Sequence, residues 1–192
     1  MFFKIFFLIF MIFMCIERLF ELYCWREKED GIIEARWTFR TLLIVHILIF
    51  ISVFVEYFTK KPEIIFFITI IGLFMFSLGL IGRNWTIRTL GKLHSVHIEI
   101  RENHKLIIEG PYKYVRNPYY LSVLLEVLGF PLVANAYYSF LVSVFIYSPL
   151  IFLRTYYEEK TFEKKFGEEY VRYKNEINAF IPFKKRRSLV CN

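Results

Sequence analysis

The feature that most constrains this chain is a series of long apolar segments separated by short charged ones. Residues 38–58 and 64–81 each approach the roughly 20 residues that a helix needs to cross a bilayer. Residues 1–25 form an earlier apolar segment, with Glu17 and Arg18 in its later turns. No small-residue cleavage site follows it, so we interpret it as an uncleaved span and not as a signal peptide.

Two further apolar segments, residues 119–138 and 137–153, predict a tight helical hairpin that turns near residues 131–136. Residues 155–177 then predict a charged amphipathic helix, broken near Gly167. Its apolar residues recur every three or four positions and share one helix face: Phe162, Phe166, Tyr170, Tyr173 and Ile177. The predicted fold class is all-α and integral to the membrane, with about five transmembrane helices and a C-terminal cytoplasmic amphipathic helix.

The polar stretch 83–118 separates the first three apolar segments from the hairpin. Its apolar pieces are short, which favours an irregular loop with at most one amphipathic turn. Just before it, Gly72, Gly79 and Gly82 indicate that another helix approaches the third segment closely.

The distribution of cations predicts how the chain is oriented in the membrane. If the 83–118 loop is cytoplasmic, 22 of the 25 Lys and Arg residues lie on the cytoplasmic side, and only Lys4, Lys60 and Lys61 lie outside. This asymmetry follows the positive-inside rule. It also accounts for the net charge of +7 without a nucleic-acid partner, because the cations flank apolar spans.

The predicted hairpin returns both of its ends to the same membrane face. Residues 110–120 and 154–159 therefore become neighbours, and together they offer Tyr112, Arg116, Asn117, Tyr119, Tyr120, Arg154, Glu158 and Glu159. Polar clusters at a membrane surface often carry function. A surface ion pair within an aromatic belt is the alternative interpretation.

Other polar residues give weaker indications. Glu126 lies about two turns into an apolar segment, so it either faces a cavity or makes a helix-packing hydrogen bond. His94, His97 and His104 have no Cys or Asp beside them, and we predict no metal site there. The cysteines lack metal-ligand spacing and predict free thiols: Cys15, Cys24 and Cys191. The sequence contains no P-loop, GxSxG or HExxH motif, and no Gly-rich loop follows a strand.

Two stretches together resemble a known family. GPYKYVRNPYY at 110–120 precedes the hairpin, and RTYYEEKTFEKKFGEEYVRYKNEINAFIP at 154–182 follows it. Their order and spacing resemble the isoprenylcysteine carboxyl methyltransferase family of integral membrane enzymes, over residues 93–182. The resemblance implies methyl transfer from S-adenosyl-L-methionine, bound on the cytoplasmic side between the hairpin ends.

The resemblance also implies roles for individual residues. The cofactor contacts would be His97, His104, Lys105, Leu106, Ile107, Tyr112, Asn117, Pro118, Tyr119, Tyr120 and Glu158. Arg154 matches the arginine that faces the methyl acceptor, which gives it a catalytic and substrate-binding role. The family's Arg-His-Pro pattern is Arg116-Asn117-Pro118 here. Unlike His, Asn cannot take up a proton and become charged at that position, although it can still donate and accept hydrogen bonds.

The acceptor implied by the resemblance is lipophilic, either a small molecule or a lipidated protein in the membrane. An anionic oxygen, such as a prenylcysteine carboxylate, needs little base catalysis. A neutral hydroxyl would need Glu126 or a histidine as catalytic base, and the sequence around Glu126 resembles bacterial members thought to O-methylate polyketide-type alkylpyrones. Residues 1–82 would shape the acceptor and lipid side, and residues 83–192 would form the catalytic region.

Three alternatives remain open from the sequence. The first is a phospholipid N-methyltransferase. The second is a membrane reductase of the steroid-reductase type that uses NADPH. The third is a membrane scaffold without enzymatic activity, for which neither cofactor would bind. The sequence predicts no oligomeric state.

Overall fold

The computed structural model describes residues 2–23, 32–34, 36–91, 98–100 and 106–182. The helices are α1 (Phe2–Tyr23), α2 (Arg36–Lys60), α3 (Phe66–Leu90), α4 (Pro118–Val133), α5 (Tyr137–Val142), α6 (Ser148–Phe166) and α7 (Glu168–Glu176). A 3₁₀ helix spans Gly110–Lys113, a π-helical segment Ser143–Tyr147 joins α5 to α6, and two short strands are β1 (Ile32–Glu34) and β2 (Ile98–Ile100).

Among the described residues, three helices are long and apolar enough to cross a membrane: Trp37–Lys60, Phe66–Leu90 and the continuous Tyr137–Phe166. Pro118–Val133 is a shorter apolar helix. Large apolar side chains on the outer faces of these helices are exposed, as expected for surfaces that contact lipid. The helical membrane fold agrees with the sequence prediction, and the count of five spans stays a prediction.

The loop predicted over residues 83–118 is partly regular. Helix α3 continues to Leu90, because its polar side chains find partners within the fold: Thr86 Oγ1 donates to Gly82 O at 2.8 Å, and Arg83 is ion-paired and buried. Strand β2 pairs antiparallel with β1 and aligns Ile100 with Ile32. Periodicity could not reveal this pairing, because the partner strands are short and distant in sequence.

Helices α3 and α4 pack backbone against backbone. A Cβ added at Gly72 would lie 2.6 Å from Val133 N, and one added at Gly79 would lie 2.6 Å from Ser122 O. Gly129 on α4 is equally close to α3, because a Cβ added at Gly129 would lie 2.7 Å from Gly72 O. The close approach predicted from the glycines is confirmed, and α4 is the helix that approaches.

The hairpin turns between α4 and α5, at residues 134–136. Asn135 adopts φ 54° there, a left-handed conformation that Asn tolerates better than most residues. Its side chain accepts from Ile65 N at 3.1 Å and donates to Thr69 Oγ1 at 2.8 Å. These bonds tie the turn to the start of α3, and the turn lies within the predicted residues 131–136.

The α5–α6 connection widens into π-helical geometry just before Pro149. Proline lacks an N–H and its ring crowds the carbonyl four residues earlier, so a regular helix cannot continue unchanged through this point. Within this wider turn, the Ser148 side chain donates from Oγ to Ser143 O at 3.1 Å. Such wide turns often mark functional sites, and Tyr147 at the end of this one is buried.

Candidate active site

The start of α4 and the middle of α6 meet through Tyr120 and Arg154. Arg154 Nε donates to the Tyr120 hydroxyl at 2.9 Å, and Arg154 Nη1 donates to Thr38 Oγ1 at 2.7 Å. The guanidinium carbon also lies 5.8 Å from the centroid of the Tyr120 ring. Arg154 is 4% exposed, so its orientation is fixed by these contacts rather than by solvent.

Glu158 lies one helical turn after Arg154, and its carboxylate is close enough to the Tyr120 hydroxyl for the two groups to interact electrostatically. Its Oε2 is buried and has no hydrogen-bond partner among the described residues. A buried carboxylate oxygen without a partner is costly. This atom is therefore the strongest structural indication that a hydrogen-bond donor from a ligand binds here.

Tyr112 lies on the same side of the site as Glu158. Burial raises the pKa of its phenol well above the usual value, and the nearby Glu158 carboxylate raises it further. The phenol is therefore protonated and able to donate a hydrogen bond at neutral pH. The Tyr112 carbonyl accepts from the Tyr173 hydroxyl at 2.8 Å, which fixes the 3₁₀ helix against α7.

Glu159, next to Glu158, points to a different cluster. Arg116 donates to the Glu159 carboxylate from Nε at 3.1 Å and from Nη2 at 2.9 Å, and Asn117 Nδ2 donates to the same carboxylate at 2.9 Å. All three side chains are buried. We name Arg116, Asn117 and Glu159 the clasp.

The clasp also holds the segment after α7. Arg116 N donates to Asn178 O at 2.9 Å, and Asn117 N donates to Ala179 O at 3.1 Å. Arg116 Nη1 donates to Lys174 O at 3.0 Å and also contacts Ile177 O. The loop before α4, helix α6 and the C-terminal segment are thus joined around one guanidinium group. The predicted proximity of residues 110–120 and 154–159 is confirmed by these bonds.

A largely apolar cavity of about 360 Å³ lies next to the Tyr120–Arg154 pair. Its lining residues come from α1, α2, α4, the π-helical segment and α6: Met14, Cys15, Arg18, Leu19, Phe39, Leu42, Leu43, His46, Ile47, Phe50, Tyr119, Tyr120, Val123, Tyr147, Ile151 and Arg154. Its size falls within the range of small-molecule sites. An apolar cavity with a buried guanidinium on its wall suits an amphiphile with an oxygen-bearing head group.

Glu126 belongs to a buried charge network. Its Oε1 accepts from Arg83 Nε at 2.7 Å, its Oε2 accepts from Arg18 Nη2 at 2.5 Å, and Arg83 also pairs with Glu17. Glu126 borders a narrow space beside the main cavity, whereas the larger cavity is lined by Arg18 and not by Glu126. Glu126 thus makes contacts of the helix-packing kind. The catalytic role of Glu126 stays a prediction, and its ion pairs with Arg83 and Arg18 disfavour that role.

The remaining predicted residues have varied positions. Pro118 is the buried first residue of α4, and Tyr119 lines the cavity beside Tyr120. Leu106 and Ile107 are half-buried at the start of the described stretch 106–182. His97, His104 and Lys105 lie outside the described residues. Within the described residues, no group of three or more potential ligands could hold a metal ion.

Sequence reasoning assigned no role to several residues that the fold brings together. Arg18, His46, Tyr147 and Thr38 line the cavity or contact Arg154, and Arg116 and Glu159 form the clasp with Asn117. An available signal was the presence of ionisable side chains inside apolar segments, which are rare unless functional or paired. It applies to Arg18 and His46. Arg116 and Glu159 were already expected in the polar cluster between the hairpin ends, and Thr38 and Tyr147 carry no comparable signal.

Comparison with known proteins gives a consistent family relationship. Residues 64–164 match the model of the isoprenylcysteine carboxyl methyltransferase (ICMT) family. Protein-S-isoprenylcysteine O-methyltransferase B of Arabidopsis thaliana is 31% identical over 131 residues, covering 63% of this chain and 66% of that protein. The Saccharomyces cerevisiae protein-S-isoprenylcysteine O-methyltransferase is 29% identical over 117 residues, covering 60% and 49%. The chain thus spans less than two thirds of the length of these relatives.

A bacterial relative is matched over more of its length. The uncharacterized protein YpbQ of Bacillus subtilis is 26% identical over 140 residues, covering 72% of this chain and 83% of that protein. Among solved structures, the eukaryotic intramembrane Ras methyltransferase ICMT superposes with a TM-score of 0.63 at 24% identity, covering 80% of this chain and 55% of that one. This similarity supports the membrane fold. The family match extends over more than half of the residues, and the chain belongs to the isoprenylcysteine carboxyl methyltransferase family.

Proposed function

We propose that this chain is a membrane O-methyltransferase that moves a methyl group from S-adenosyl-L-methionine to an oxygen of a lipophilic acceptor. The observation that carries the proposal is the position of Arg154, buried between an apolar cavity and the Glu158 carboxylate. The names of the relatives and the family membership give the reaction class. The geometry of this chain's own residues gives each end of the site a role.

The cofactor end is formed around Glu158. Its unpartnered buried oxygen suits a hydroxyl or amine donor from the cofactor, and the protonated Tyr112 phenol supplies a donor beside it. Tyr119 and Tyr120 offer aromatic faces that attract a cation. His97, His104, Lys105, Leu106 and Ile107 remain proposed contacts by their motif. S-adenosyl-L-methionine supplies a methyl group already activated on a sulfonium.

The acceptor end is formed around Arg154. Tyr120 and Thr38 hold its guanidinium beside the cavity, where it can orient an anionic oxygen for in-line attack. An anionic oxygen needs no base, since no proton has to leave. Both carboxylate oxygens of Glu126 already accept from arginines, so we assign that residue no proton transfer.

Asn117 has a positioning role in this proposal. Its side chain donates to Glu159 within the clasp, and the clasp fixes the backbone on which Tyr119 and Tyr120 begin α4. In this proposal, Asn117 and Pro118 support the cofactor mainly by fixing the position of the backbone at the start of α4. A proton-transfer role at Asn117 is chemically excluded by the amide.

The proposed division of the chain follows the walls of the cavity. Residues 1–82 contribute α1 and α2, which supply most of its apolar lining, and residues 83–192 contribute Glu158, Arg154 and the clasp. The cation asymmetry favours a cytoplasmic position for the site. The acceptor is then either a prenylcysteine carboxylate, as the names of the plant and yeast relatives suggest, or an acidic hydroxyl such as that of an alkylpyrone.

The first test of this proposal is ligand binding by the purified chain in detergent. S-adenosylhomocysteine should raise the denaturation temperature, whereas NADPH should not. Stabilisation by NADPH alone would favour the reductase alternative, and stabilisation by neither would favour the scaffold. Mass spectrometry of membrane lipids with and without the chain should then find a species heavier by one methylene, and its fragmentation distinguishes methylation on oxygen from methylation on a phospholipid amine.

A further inference from the structure

Two side chains, Met14 of α1 and Phe50 of α2, close the inner end of the apolar cavity. Both also line a second, narrow space of about 10 Å³, which is at the lower limit for one water molecule. Val127 and Phe130 line only the narrow space, whereas Val123, nearer the start of α4, lines the cavity. The narrow space thus lies deeper than the cavity, and we name Met14 and Phe50 the floor between them.

Phe50 is held in place by an aromatic cluster on the side away from the cavity. Its ring stacks on Phe130, with centroids 5.5 Å apart and an interplanar angle of 21°. Phe130 is 2% exposed and also contacts Phe10, which in turn contacts Phe76. These rings come from four helices, α1 to α4, and a closely packed cluster of this kind has little free space. The Phe50 ring therefore cannot move deeper without displacing several helices.

The distance from Arg154 to the floor follows from positions along α2. Thr38 accepts a hydrogen bond from Arg154, and Phe50 follows Thr38 by twelve residues, or about 18 Å at the rise of an α-helix. An isoprene unit adds four backbone bonds, or roughly 5 Å when extended, judging from the extended length of a polypeptide. Three units and the thioether that carries them fill this depth, whereas four units exceed it.

The polar side chains near the floor already have partners within the protein. Arg18 and His46 line both the cavity and the narrow space. Arg18 donates to Glu126 at 2.5 Å, and His46 Nδ1 lies 3.3 Å from the Tyr147 hydroxyl. A hydrocarbon tail that passes these groups leaves their contacts intact. The inner part of the cavity therefore suits a tail without oxygen atoms.

We propose that the floor limits the length of the acceptor tail, with Phe50 as the residue that determines this specificity. The preferred tail has three isoprene units, or is an alkyl chain of the same extended length. The inference rests on the proposed function, because Arg154 at the other end of the cavity defines the methylated group.

The preference arises from packing, because the surrounding bilayer is as apolar as the cavity. A shorter tail leaves the inner end of the cavity empty, and the lining loses dispersion contacts there. A longer tail meets the Phe50 ring, which the stack on Phe130 holds in place, so it has to fold back or push the helices apart. Apolar pockets of fixed shape discriminate by about tenfold or more for one methylene, and an isoprene unit is larger than a methylene.

The alternative is that a long tail leaves the cavity sideways between α1 and α2. Leu19 on α1 and Ile47 on α2 line the cavity and are 53% and 49% exposed, so lipid can reach the cavity between them. This opening ends before the floor, because Met14 and Phe50 lie five and three residues deeper on the same helices. A tail that leaves there abandons the inner end of the cavity, whereas a tail that stays fills it. In the sideways case, kcat/KM stays level as the tail lengthens, and replacement of Phe50 does not change it.

The test measures kcat/KM of the purified chain in detergent for two series of acceptors. One series is S-prenyl N-acetylcysteine with two, three and four isoprene units, and the other is an alkylpyrone with tails of the same extended lengths. Phe50→Ala joins the cavity to the narrow space, and Phe50→Trp extends the ring toward the cavity, since Phe130 blocks the other side. Phe54→Ala is the control, because Phe54 lies one turn farther along α2, is 43% exposed and does not line the cavity.

In the wild type and Phe54→Ala, kcat/KM should be about tenfold or more higher for three units than for four. Phe50→Ala should bring the two values within about twofold of each other. Phe50→Trp should make the two-unit tail the best acceptor, and S-adenosylhomocysteine should still stabilise both variants. If Phe50→Ala does not fold, Phe50→Leu removes part of the ring and should narrow the difference between three and four units in the same direction.

Equal or faster use of the four-unit tail by the wild type would overturn the inference alone. The same holds for a length profile that neither Phe50 variant changes. Absence of product from every tail of both series would overturn the proposed function, and the inference with it.

Discussion

Arg154 Nε donates a hydrogen bond to the Tyr120 hydroxyl at 2.9 Å, across 34 residues of sequence. The bond joins the two ends of a helical hairpin at the point where the apolar cavity meets the polar site. A third helix contributes Thr38, which accepts from Arg154 at 2.7 Å. The orientation of the guanidinium therefore depends on three separate parts of the chain.

Replacement of Arg154 should separate acceptor chemistry from cofactor binding. We expect Arg154→Ala to lower turnover by about a hundredfold or more, since a positioning contact is lost. The affinity for S-adenosylhomocysteine should stay within about threefold. Arg154→Lys should also be impaired, because Lys cannot make the planar, multidentate contacts with Tyr120 and Thr38. Turnover is measured with labelled cofactor and affinity by calorimetry.

Arg88→Ala is the matched control for this prediction, because Arg88 is exposed in the last turn of α3. It should leave both quantities unchanged. Normal turnover in a folded Arg154→Ala variant would reduce Arg154 to a residue that anchors the end of a helix.

Replacement of Glu158 should affect the cofactor. Glu158→Ala removes the buried oxygen that lacks a partner in the described structure, and we expect the free energy of S-adenosylhomocysteine binding to weaken by about 1–3 kcal/mol. Glu168→Ala, at an exposed carboxylate on α7, should bind normally. Calorimetry that finds the same affinity for both variants would remove Glu158 from the cofactor site.

The clasp should stabilise the fold as a unit. Arg116→Ala or Glu159→Ala leaves a buried charge without its partner, so each should lower the free energy of unfolding by about 3–5 kcal/mol. The double variant should lose less than the sum, with a coupling energy of about 0.5–3 kcal/mol. Detergent-solubilised protein titrated with denaturant gives these values, and Lys160→Ala on the exposed face of α6 is the control. Strictly additive losses would show that the two side chains act independently.

The α3–α4 contact should not tolerate even a methyl group. Gly72→Ala places a Cβ 2.6 Å from a backbone nitrogen of α4, which can only be relieved by moving a helix. We expect a loss of about 1–3 kcal/mol in unfolding free energy, whereas Ser77→Ala, exposed on the same helix, should be nearly neutral. Equal stability of the two variants would mean that the helices separate without cost.

The orientation in the membrane can be checked by thiol labelling. In a cysteine-free background, Lys60→Cys should react with a membrane-impermeant maleimide applied to intact cells, and Lys113→Cys should react only after the membrane is opened. The expectation follows from the asymmetry of the 25 cations. Labelling of both positions from the same side would contradict the five-span topology.

Much of the fold could be predicted because apolar length and periodicity are local properties. The hairpin turn before Tyr137 and the helix end at Gly167 both lie where the pattern predicts them. The extension of α3 to Leu90 was missed, because a charged residue such as Arg83 directly after an apolar segment indicates the end of that segment. Only the fold shows that Glu126 and Glu17 pair with Arg83. The β1–β2 pair was missed for the same reason, since neither strand indicates its partner.

The candidate site was predicted in part. Motif resemblance singled out Tyr120, Arg154 and Glu158, which the fold does bring together. It assigned Asn117 to the cofactor, which stays a prediction, and it did not indicate that the Asn117 side chain donates to Glu159. The sequence also left Glu126 between two interpretations, which only the positions of the arginines could separate.

The sequence by itself determined the apolar spans, the likeness to a membrane methyltransferase family and the expected orientation in the membrane, because each depends on residue order alone. The tertiary structure decided which polar groups become partners. Arg18 and Glu126 are 108 residues apart, and His46 and Tyr147 are 101 apart, yet each pair is in contact. These contacts depend on the spacing and rotation of packed helices, which are set by glycines and bulky side chains on several helices at once and by no single stretch of sequence.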